Sequence, residues 1–173
     1  RSTVLADLDL TPDEYVLATV HRAANTDDHG RLRAIVEGLA TAPLPVVLPA
    51  HPRTTAALEA ADLADRAREV LTLTEPQGYL DFVRLLDGAA TVATDSGGVQ
   101  KEAFFCRTPC VTLRDETEWV ETVAAGWNRL VGADAAAIRM ALADASAPDD
   151  HPTPYGDGAA AARIREVLER AVG

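Results

Sequence analysis

The sequence predicts an α/β fold: a three-layer, doubly wound parallel sheet of about six strands, of the Rossmann-like type. Short runs rich in valine and leucine alternate with stretches of helical periodicity along nearly the whole chain. Short strands of this composition are typical of a parallel sheet that helices cover on both faces. A length of 173 residues suits one domain with a sizeable core, so we expect a single domain over residues 1–173.

Each expected strand is followed by an expected helix. The strands are predicted at 15–20, 45–50, 70–74, 91–94, 109–113 and 128–132. The helices that follow them are predicted at 27–42, 53–68, 78–88, 97–106, 118–124 and 134–146. A loop rich in Pro and Asp, 146–158, precedes a last helix over 159–172, which is expected to leave the domain body.

Composition excludes several classes of function. A net charge of −11 argues against a protein that coats nucleic acid, and no apolar run approaches the ~18 residues of a membrane helix. No metal-binding spacing of Cys or His is present, and we expect neither a metal nor a cofactor. Cys106 and Cys110, the two cysteines, lie among apolar neighbours. We expect buried, reduced thiols, which indicates a cytoplasmic location.

The uncommon polar residues of the chain fall where the expected strands end. In a doubly wound sheet, ligands bind beyond the carboxyl ends of the strands, so we expect these residues to form one site. The alternative is that loops are polar wherever they occur. The candidates are His21, Arg22, His51, Gln77, the segment 96–102, Arg114 and Glu118.

The segment "DSGGVQKE", at 95–102, indicates an anion site at the start of a helix. The first amides of a helix are unpaired and carry partial positive charge, and glycines let a phosphate approach them. Ser96 would cap the helix or bind the same phosphate, whereas a plain cap with glycines for tight packing is the competing interpretation. Glu102 would accept the hydroxyls of a ribose, or be a surface charge. Lys101 is expected to be exposed.

Other strand-end residues allow more than one interpretation. His21 can exchange protons near neutral pH and Arg22 can hold a phosphate, although His21 could instead cap the next helix. His51 could bind a ligand or stabilise its loop. Arg114 could meet an anion or pair with Asp115 or Glu118.

Aromatic residues and absent motifs narrow the type of nucleotide site. Tyr79 and Phe82 are expected in the core, although an aromatic side chain there could stack on a base. Neither GxGxxG nor GxxxxGK[ST] is present, so the usual NAD and P-loop sites are excluded. The spacing therefore predicts a nucleotide-diphosphate site of another kind.

The motifs "TVHRAANTDD", "PAHPRT", "TDSGGVQKEAFF", "RDETEW" and "PYGDG" together resemble one family. From about Tyr15 onward, the chain is similar to the carboxyl-terminal half of the non-hydrolysing UDP-N-acetylglucosamine 2-epimerases. The resemblance implies one lobe of a two-domain GT-B-type fold. It also implies interconversion of UDP-GlcNAc and UDP-ManNAc by UDP elimination and re-addition, a homodimer when full length, and cell-surface polysaccharide biosynthesis.

The resemblance also implies roles for individual residues. Those that would hold the diphosphate are Ser96, Gly97 and Gly98, and Glu102 would take the ribose hydroxyls. The uracil would lie by Phe82 and the backbone at Gln77. His21 is the one catalytic candidate. Arg22 and His51 match positions that, in bacterial members, touch a second, activating UDP-GlcNAc.

Two departures from the family pattern limit these expectations. The amino-terminal domain, which supplies the acid and base carboxylates, is absent, so this chain alone is expected to be inactive. The last helix, 159–172, is expected to pack toward that missing domain. "TEWVE" replaces "TERPE" and leaves the exact sugar open. The alternatives are the donor lobe of a two-domain glycosyltransferase and a stand-alone nucleotide-sugar binding module.

Overall fold

Six parallel strands form one sheet in the computed structural model, which describes residues 2–172. The strands are β1 Val16–Thr19, β2 Val46–Pro49, β3 Thr72–Thr74, β4 Thr91–Thr94, β5 Cys110–Thr112 and β6 Asn128–Leu130. Their order in the sheet is β3-β2-β1-β4-β5-β6. The order reverses between β1 and β4, so the carboxyl ends of these two strands border the crevice where doubly wound sheets bind ligands. The predicted fold class is confirmed.

The helices follow the predicted alternation, with one correction and two additions. They are α1 Val4–Asp7, α2 Ala23–Thr26, α3 His29–Leu39, α4 Pro52–Ala60, α5 Ala64–Val70, α6 Tyr79–Asp87, α7 Gly97–Cys106, α8 Val120–Ala124, α9 Ala135–Ala143 and α10 Ala160–Val172. The single helix expected over 53–68 is wrong. Asp62 adopts a left-handed φ of 55°, which ends α4 and starts a new turn before α5. The additions, α1 and α2, are too short to show helical periodicity.

The central strands of the sheet are buried on both faces, as the runs rich in valine and leucine predicted, whereas the edge strands β3 and β6 are partly exposed. Val16 and Ala18 of β1 contribute to one core cluster, together with side chains of α3, α4, α5 and α9. Leu17, between them, belongs to a second cluster with side chains of α1, α6 and α7. Successive side chains of a strand point to opposite faces, so β1 is buried from both sides. Burial of each such leucine or valine stabilises the fold by about 1.5–3 kcal/mol.

The structure also bears on the expectations for the cysteines, for Tyr79 and for membrane helices. Cys110 is buried, and burial raises the pKa of its thiol to about 12, whereas Cys106 is only half-buried. The core position expected for Tyr79 is wrong, because 68% of its surface is exposed at the start of α6. Within residues 2–172, no helix is both long and apolar enough to cross a membrane.

Candidate functional site

Asp95 joins the ends of the two strands that border the crevice. It follows β4, is fully buried, and its carboxylate accepts hydrogen bonds from the backbone amides of His21 and Arg22 at 3.1 and 3.0 Å. The side chain of Asn25 donates a further bond at 3.1 Å. Oδ1 of Asp95 also lies 3.4 Å from Nδ1 of His21. The buried carboxylate therefore fixes the backbone at His21 and Arg22, and lies within ion-pair distance of the His21 ring.

Sequence reasoning assigned Asp95 no role. The available signal was its position directly after β4, next to the reversal of strand order. That signal could be used only together with the order of the strands, because the partners of Asp95 lie about 70 residues earlier in the chain.

The start of α7 carries free backbone donors. Ser96 is the N-cap residue, and its Oγ accepts a bond from the amide of Val99 at 3.4 Å. The amides of Gly97 and Gly98 belong to the first turn, which has no partners inside the helix. Neither glycine has a positive φ, so the backbone conformation does not require glycine at either position. The two glycines must therefore be explained by the space around them.

The spaces beside the two glycines differ. A Cβ added to Gly98 would meet nothing closer than Oγ of Ser96 at 3.8 Å, so this side of the helix start is open to a ligand. A Cβ added to Gly97 would lie 2.1 Å from Oε1 of Glu118. The carboxylate of Glu118 thus occupies the space that a side chain at Gly97 would need, and only Gly98 presents an open backbone.

Arg114 holds Glu118 in this place. Its Nη1 donates to Oε2 of Glu118 at 2.9 Å, which decides between the two ion pairs considered from the sequence. Asp115 pairs instead with Arg31, at 3.2 Å. Bonds from its own backbone amide and from Arg114, together with the charge of Arg22, hold the pKa of Glu118 below its usual value. Arginines and carboxylates therefore lie together at this edge of the sheet, largely as ion pairs.

Glu102 lies on the same face of α7 as Gly98, one turn further along. It is half-buried, and no hydrogen bond or ion pair to its carboxylate is found within the described residues. Desolvation raises its pKa above the ordinary value. A half-buried carboxylate without a donor is a ready acceptor for two hydroxyl groups of a ligand.

A pocket of about 190 Å³ brings together residues predicted from three different loops. His21 and His51 line it, together with Gln77, Phe82 and Val99. Gln77 donates through Nε2 to the carbonyl of Glu75 at 2.8 Å, a local bond within its own loop. Phe82 is half-buried and faces this pocket, in contrast to the exposed Tyr79.

A second pocket, of about 280 Å³, lies on the other side of the His21–Asp95 junction. Its polar lining includes Arg22, Arg31 and Arg114. The residues predicted from the first three strand-end loops and Arg114 are therefore divided between two pockets, whereas the α7 residues Ser96, Gly97, Gly98 and Glu102, and also Glu118, line neither. His51 also caps α4, since its Nδ1 accepts from the amide of Arg53 at 3.1 Å. The loop-stabilising interpretation of His51 is thus correct, and its ring also faces a pocket.

The expectation that Lys101 is exposed is wrong. Its Nζ lies 4.4 Å from the ring centroid of Trp119, 4.5 Å from that of Tyr155 and 5.9 Å from that of Phe105. Phe105 lies one turn further along α7, whereas Trp119 and Tyr155 come from two later segments, and no spacing in the sequence indicated those two contacts. Such cation–π contacts stabilise by about 0.5–1 kcal/mol each at partly exposed sites.

The "PYGDG" motif connects the site to α10. Tyr155 contacts Lys101 and Trp119. Gly156 and Gly158 have φ values of 84° and 81°, which only glycine adopts freely. Asp157 accepts from the amide of Ala159 at 3.0 Å. The motif thus turns the chain from the surface of α7 into the start of α10.

Comparison with known proteins places this arrangement in a family. Residues 1–169 match the family model described as UDP-N-acetylglucosamine 2-epimerase. A UDP-2,3-diacetamido-2,3-dideoxy-D-glucuronate 2-epimerase from Pseudomonas aeruginosa is 46% identical over 163 residues, covering 91% of this chain and 45% of that protein. A UDP-N-acetylglucosamine 2-epimerase homolog from Methanococcus maripaludis is 41% identical over 168 residues, covering 95% and 47%.

A solved structure agrees with the sequence comparison. The UDP-GlcNAc 2-epimerase of Methanocaldococcus jannaschii, crystallised in complex with UDP-GlcNAc and UDP, superposes with a TM-score of 0.86 at 36% identity. The match covers 98% of this chain and 49% of that one. The chain thus spans about half the length of the relatives it matches, and its architecture is that of one lobe of a GT-B-type fold. The chain belongs to the UDP-N-acetylglucosamine 2-epimerase family.

Proposed function

We propose that the chain is the UDP-binding half of a two-domain epimerase that interconverts UDP-GlcNAc and UDP-ManNAc. The observation that carries the proposal is the open start of α7 beside His21, at the reversal of strand order. Free amides at a helix start favour a diphosphate, and this one lies where doubly wound sheets bind nucleotides. The complex of the M. jannaschii relative with UDP-GlcNAc and UDP supports the choice of nucleotide.

The site would accommodate the three parts of UDP on and beside the first turns of α7. The diphosphate would lie on Ser96, Gly97 and Gly98, with Gly98 giving the closest approach. The ribose would lie one turn further, where its hydroxyls donate to Glu102. The uracil would enter the pocket lined by Phe82 and Gln77. Binding would supply the donors that the half-buried carboxylate of Glu102 lacks in the free chain.

The chemistry explains why tight control of UDP belongs to the reaction. Loss of the proton from carbon 2 together with UDP from carbon 1 gives a 2-acetamidoglucal, and re-addition of UDP with a proton on the opposite face gives the epimer. Donors that hold the departing diphosphate stabilise the charge that develops on it. His21, whose ring lies beside Asp95, would donate to that charge or carry a proton.

A single lobe contains only part of such a site. The acid and base carboxylates would come from an amino-terminal domain, so the 173-residue chain should bind UDP without turning over a sugar nucleotide. The exposed apolar side chains of α10, Ile164, Val167 and Leu168, would pack against that domain. Arg22 and His51 would face the cleft and bind a second, activating sugar nucleotide. We place the full-length protein in the cytoplasm as a homodimer, in cell-surface polysaccharide biosynthesis.

The sugar is the least constrained part of the proposal. The two relatives described above are named for different sugars, N-acetylglucosamine and a diacetamido-glucuronate. The sugar would extend from the diphosphate toward the other lobe, outside the residues of this chain.

Calorimetric titration of the 173-residue chain with UDP tests the binding step. We expect saturable binding of UDP and much weaker binding of ADP, because the pocket at Phe82 would select the base. For the full-length protein, we expect deuterium from heavy water to appear at carbon 2 of the sugar. Absence of UDP binding by both forms would refute the proposal, and sugar transfer to an acceptor would indicate a glycosyltransferase instead.

A further inference from the structure

The loop 114–119, which carries Arg114 and Glu118, is attached to α7 by two short hydrogen bonds. Oγ1 of Thr117 donates to Oε1 of Gln100 at 2.6 Å. The indole Nε1 of Trp119 donates to the backbone carbonyl of Gly97, also at 2.6 Å. The loop therefore takes its position from the same helix that offers its amides to an anion.

Gln100 is a rigid anchor for the first of these bonds. It is fully buried, and its Nε2 donates to the carbonyl of Ser96 at 3.2 Å. Its Oε1 accepts a second bond from Asn128 at 3.1 Å. A buried amide with all of these partners has no alternative orientation of similar energy.

Trp119 provides the second attachment from the solvent side. Its ring is half-buried and lies against the ammonium of Lys101, so the ring plane is held from two directions. Its own amide donates to Oγ1 of Thr117 at 3.1 Å, which closes the turn between the two attachments. Trp119 directly follows Glu118, whose carboxylate lies over Gly97. A change in the position of the indole must therefore move Glu118 and its partner Arg114.

We propose that Trp119 is a positioning residue for diphosphate binding, which holds Arg114 and Glu118 beside the start of α7. The inference rests on the proposed function of that helix start. The side chain of Arg114 is only 13% exposed, so its guanidinium cannot adjust independently of the loop. A cation that is already in place loses less conformational freedom when the anion binds. Trp119 makes no contact with the ligand in this arrangement and acts through Arg114.

A double-mutant cycle tests the inference, with UDP affinity measured by calorimetry. Trp119→Phe keeps an aromatic ring against Lys101 and removes the bond to Gly97. We expect a 3- to 10-fold loss of affinity, in the range of one lost hydrogen bond. In the background of Arg114→Ala, the same change should cost less than 2-fold, because the residue through which Trp119 acts is gone.

Trp127→Phe is the matched control. The indole of Trp127 is buried and donates to the carbonyl of Asp150 at 2.8 Å, away from the start of α7. We expect it to lower the thermal midpoint and to leave UDP affinity unchanged. Amide exchange of residues 114–119 in the ligand-free chain should become faster in Trp119→Phe only.

The outcomes separate this inference from the proposed function. If the wild-type chain binds no UDP, both fail. If it binds UDP but Trp119→Phe binds equally well, or loses the same factor with and without Arg114, the inference alone is refuted. Loss of affinity that disappears in the Arg114→Ala background, with faster exchange in the loop, supports it.

Discussion

Replacing Glu102 with Gln should weaken UDP binding and, at the same time, stabilise the free chain. The carboxylate is half-buried, and its pKa is raised because burial removes water without supplying a donor. The charge is therefore unfavourable until a ligand brings hydroxyl groups to it. Gln has the same shape and no charge, so it removes both the cost in the free chain and the charged acceptor in the complex.

The two effects differ in size. A hydrogen bond to a charged group contributes about 1.5–3 kcal/mol, and 1.4 kcal/mol corresponds to a factor of ten in affinity. We therefore expect Glu102→Gln to weaken UDP binding by about 10- to 100-fold. The gain in stability should be small, about 0.5 kcal/mol or less, because water still reaches part of the side chain.

The pH dependence gives the sign of the stability effect. A carboxyl whose pKa is higher in the folded chain than in the unfolded chain contributes stability below the ordinary pKa of 4.5, and this stability is lost as the pH rises through the folded pKa. The advantage of Glu102→Gln should thus be absent at pH 4 and present at pH 7. Thermal melts at both pH values, with calorimetric UDP titration at pH 7, measure the two effects.

A matched substitution on another helix controls for the loss of charge. Glu59 is exposed on α4, and Glu59→Gln should change neither the UDP affinity nor the pH dependence of the melt. If Glu102→Gln bound UDP as tightly as the wild type, Glu102 would not contact the ligand. If Glu102→Gln destabilised the chain at pH 7, the carboxylate would have a favourable partner in the free protein.

Two further predictions concern the helix start and α10. Gly98→Ala should keep or raise the thermal midpoint, because nothing lies within 3.8 Å of the new methyl group. The same methyl group should weaken UDP binding at least 10-fold, because it shields the backbone amides. An unchanged affinity for UDP, measured by calorimetry, would mean that the diphosphate does not bind at this helix start. Gly97→Ala should instead displace Glu118 and lower the midpoint. Leu168→Ser should leave the thermal midpoint of the 173-residue chain unchanged, since 59% of Leu168 is exposed there. In the full-length protein, where Leu168 would be buried against the other domain, the same change should lower the free energy of unfolding by about 1.5–3 kcal/mol. Equal midpoints for the full-length variant and wild type would exclude packing of α10 against the other domain.

The elements around the site were predictable because their signals are local. The bounds of β4 and α7 match the expectation residue for residue, at 91–94 and 97–106. A short apolar run, a Ser at the N-cap position and a following periodic stretch are all contained within sixteen residues. Arg107, with a left-handed φ of 60°, ends α7 without any glycine to announce it. The end of α7 was predicted correctly only because the next expected strand begins soon after it.

The contacts that were missed join residues that lie far apart in the sequence. Asp95 binds the loop after β1, and Lys101 meets aromatic rings from two later segments. Neither contact leaves a periodicity or a spacing in the chain. Asp62 is a different case, because its left-handed turn is local and Asp is one of the few residue types besides Gly that adopt this conformation. An Asp is also common on the exposed face of a helix, so it indicates the break between α4 and α5 less clearly than a Gly would.

The segment "DSGGVQKE" can be interpreted face by face once these contacts are known. Gly98 and Glu102 share the face of α7 that is open to a ligand, whereas Gly97 and Lys101 share a face that holds the loop 114–119. The absence of a side chain therefore has a different cause at each of the two adjacent glycines. The first makes room for a carboxylate of the protein, and the second leaves backbone bare toward solvent. Substitutions at neighbouring positions of this one motif should consequently separate ligand binding from placement of the loop, which is why the comparison of Gly97→Ala with Gly98→Ala is informative.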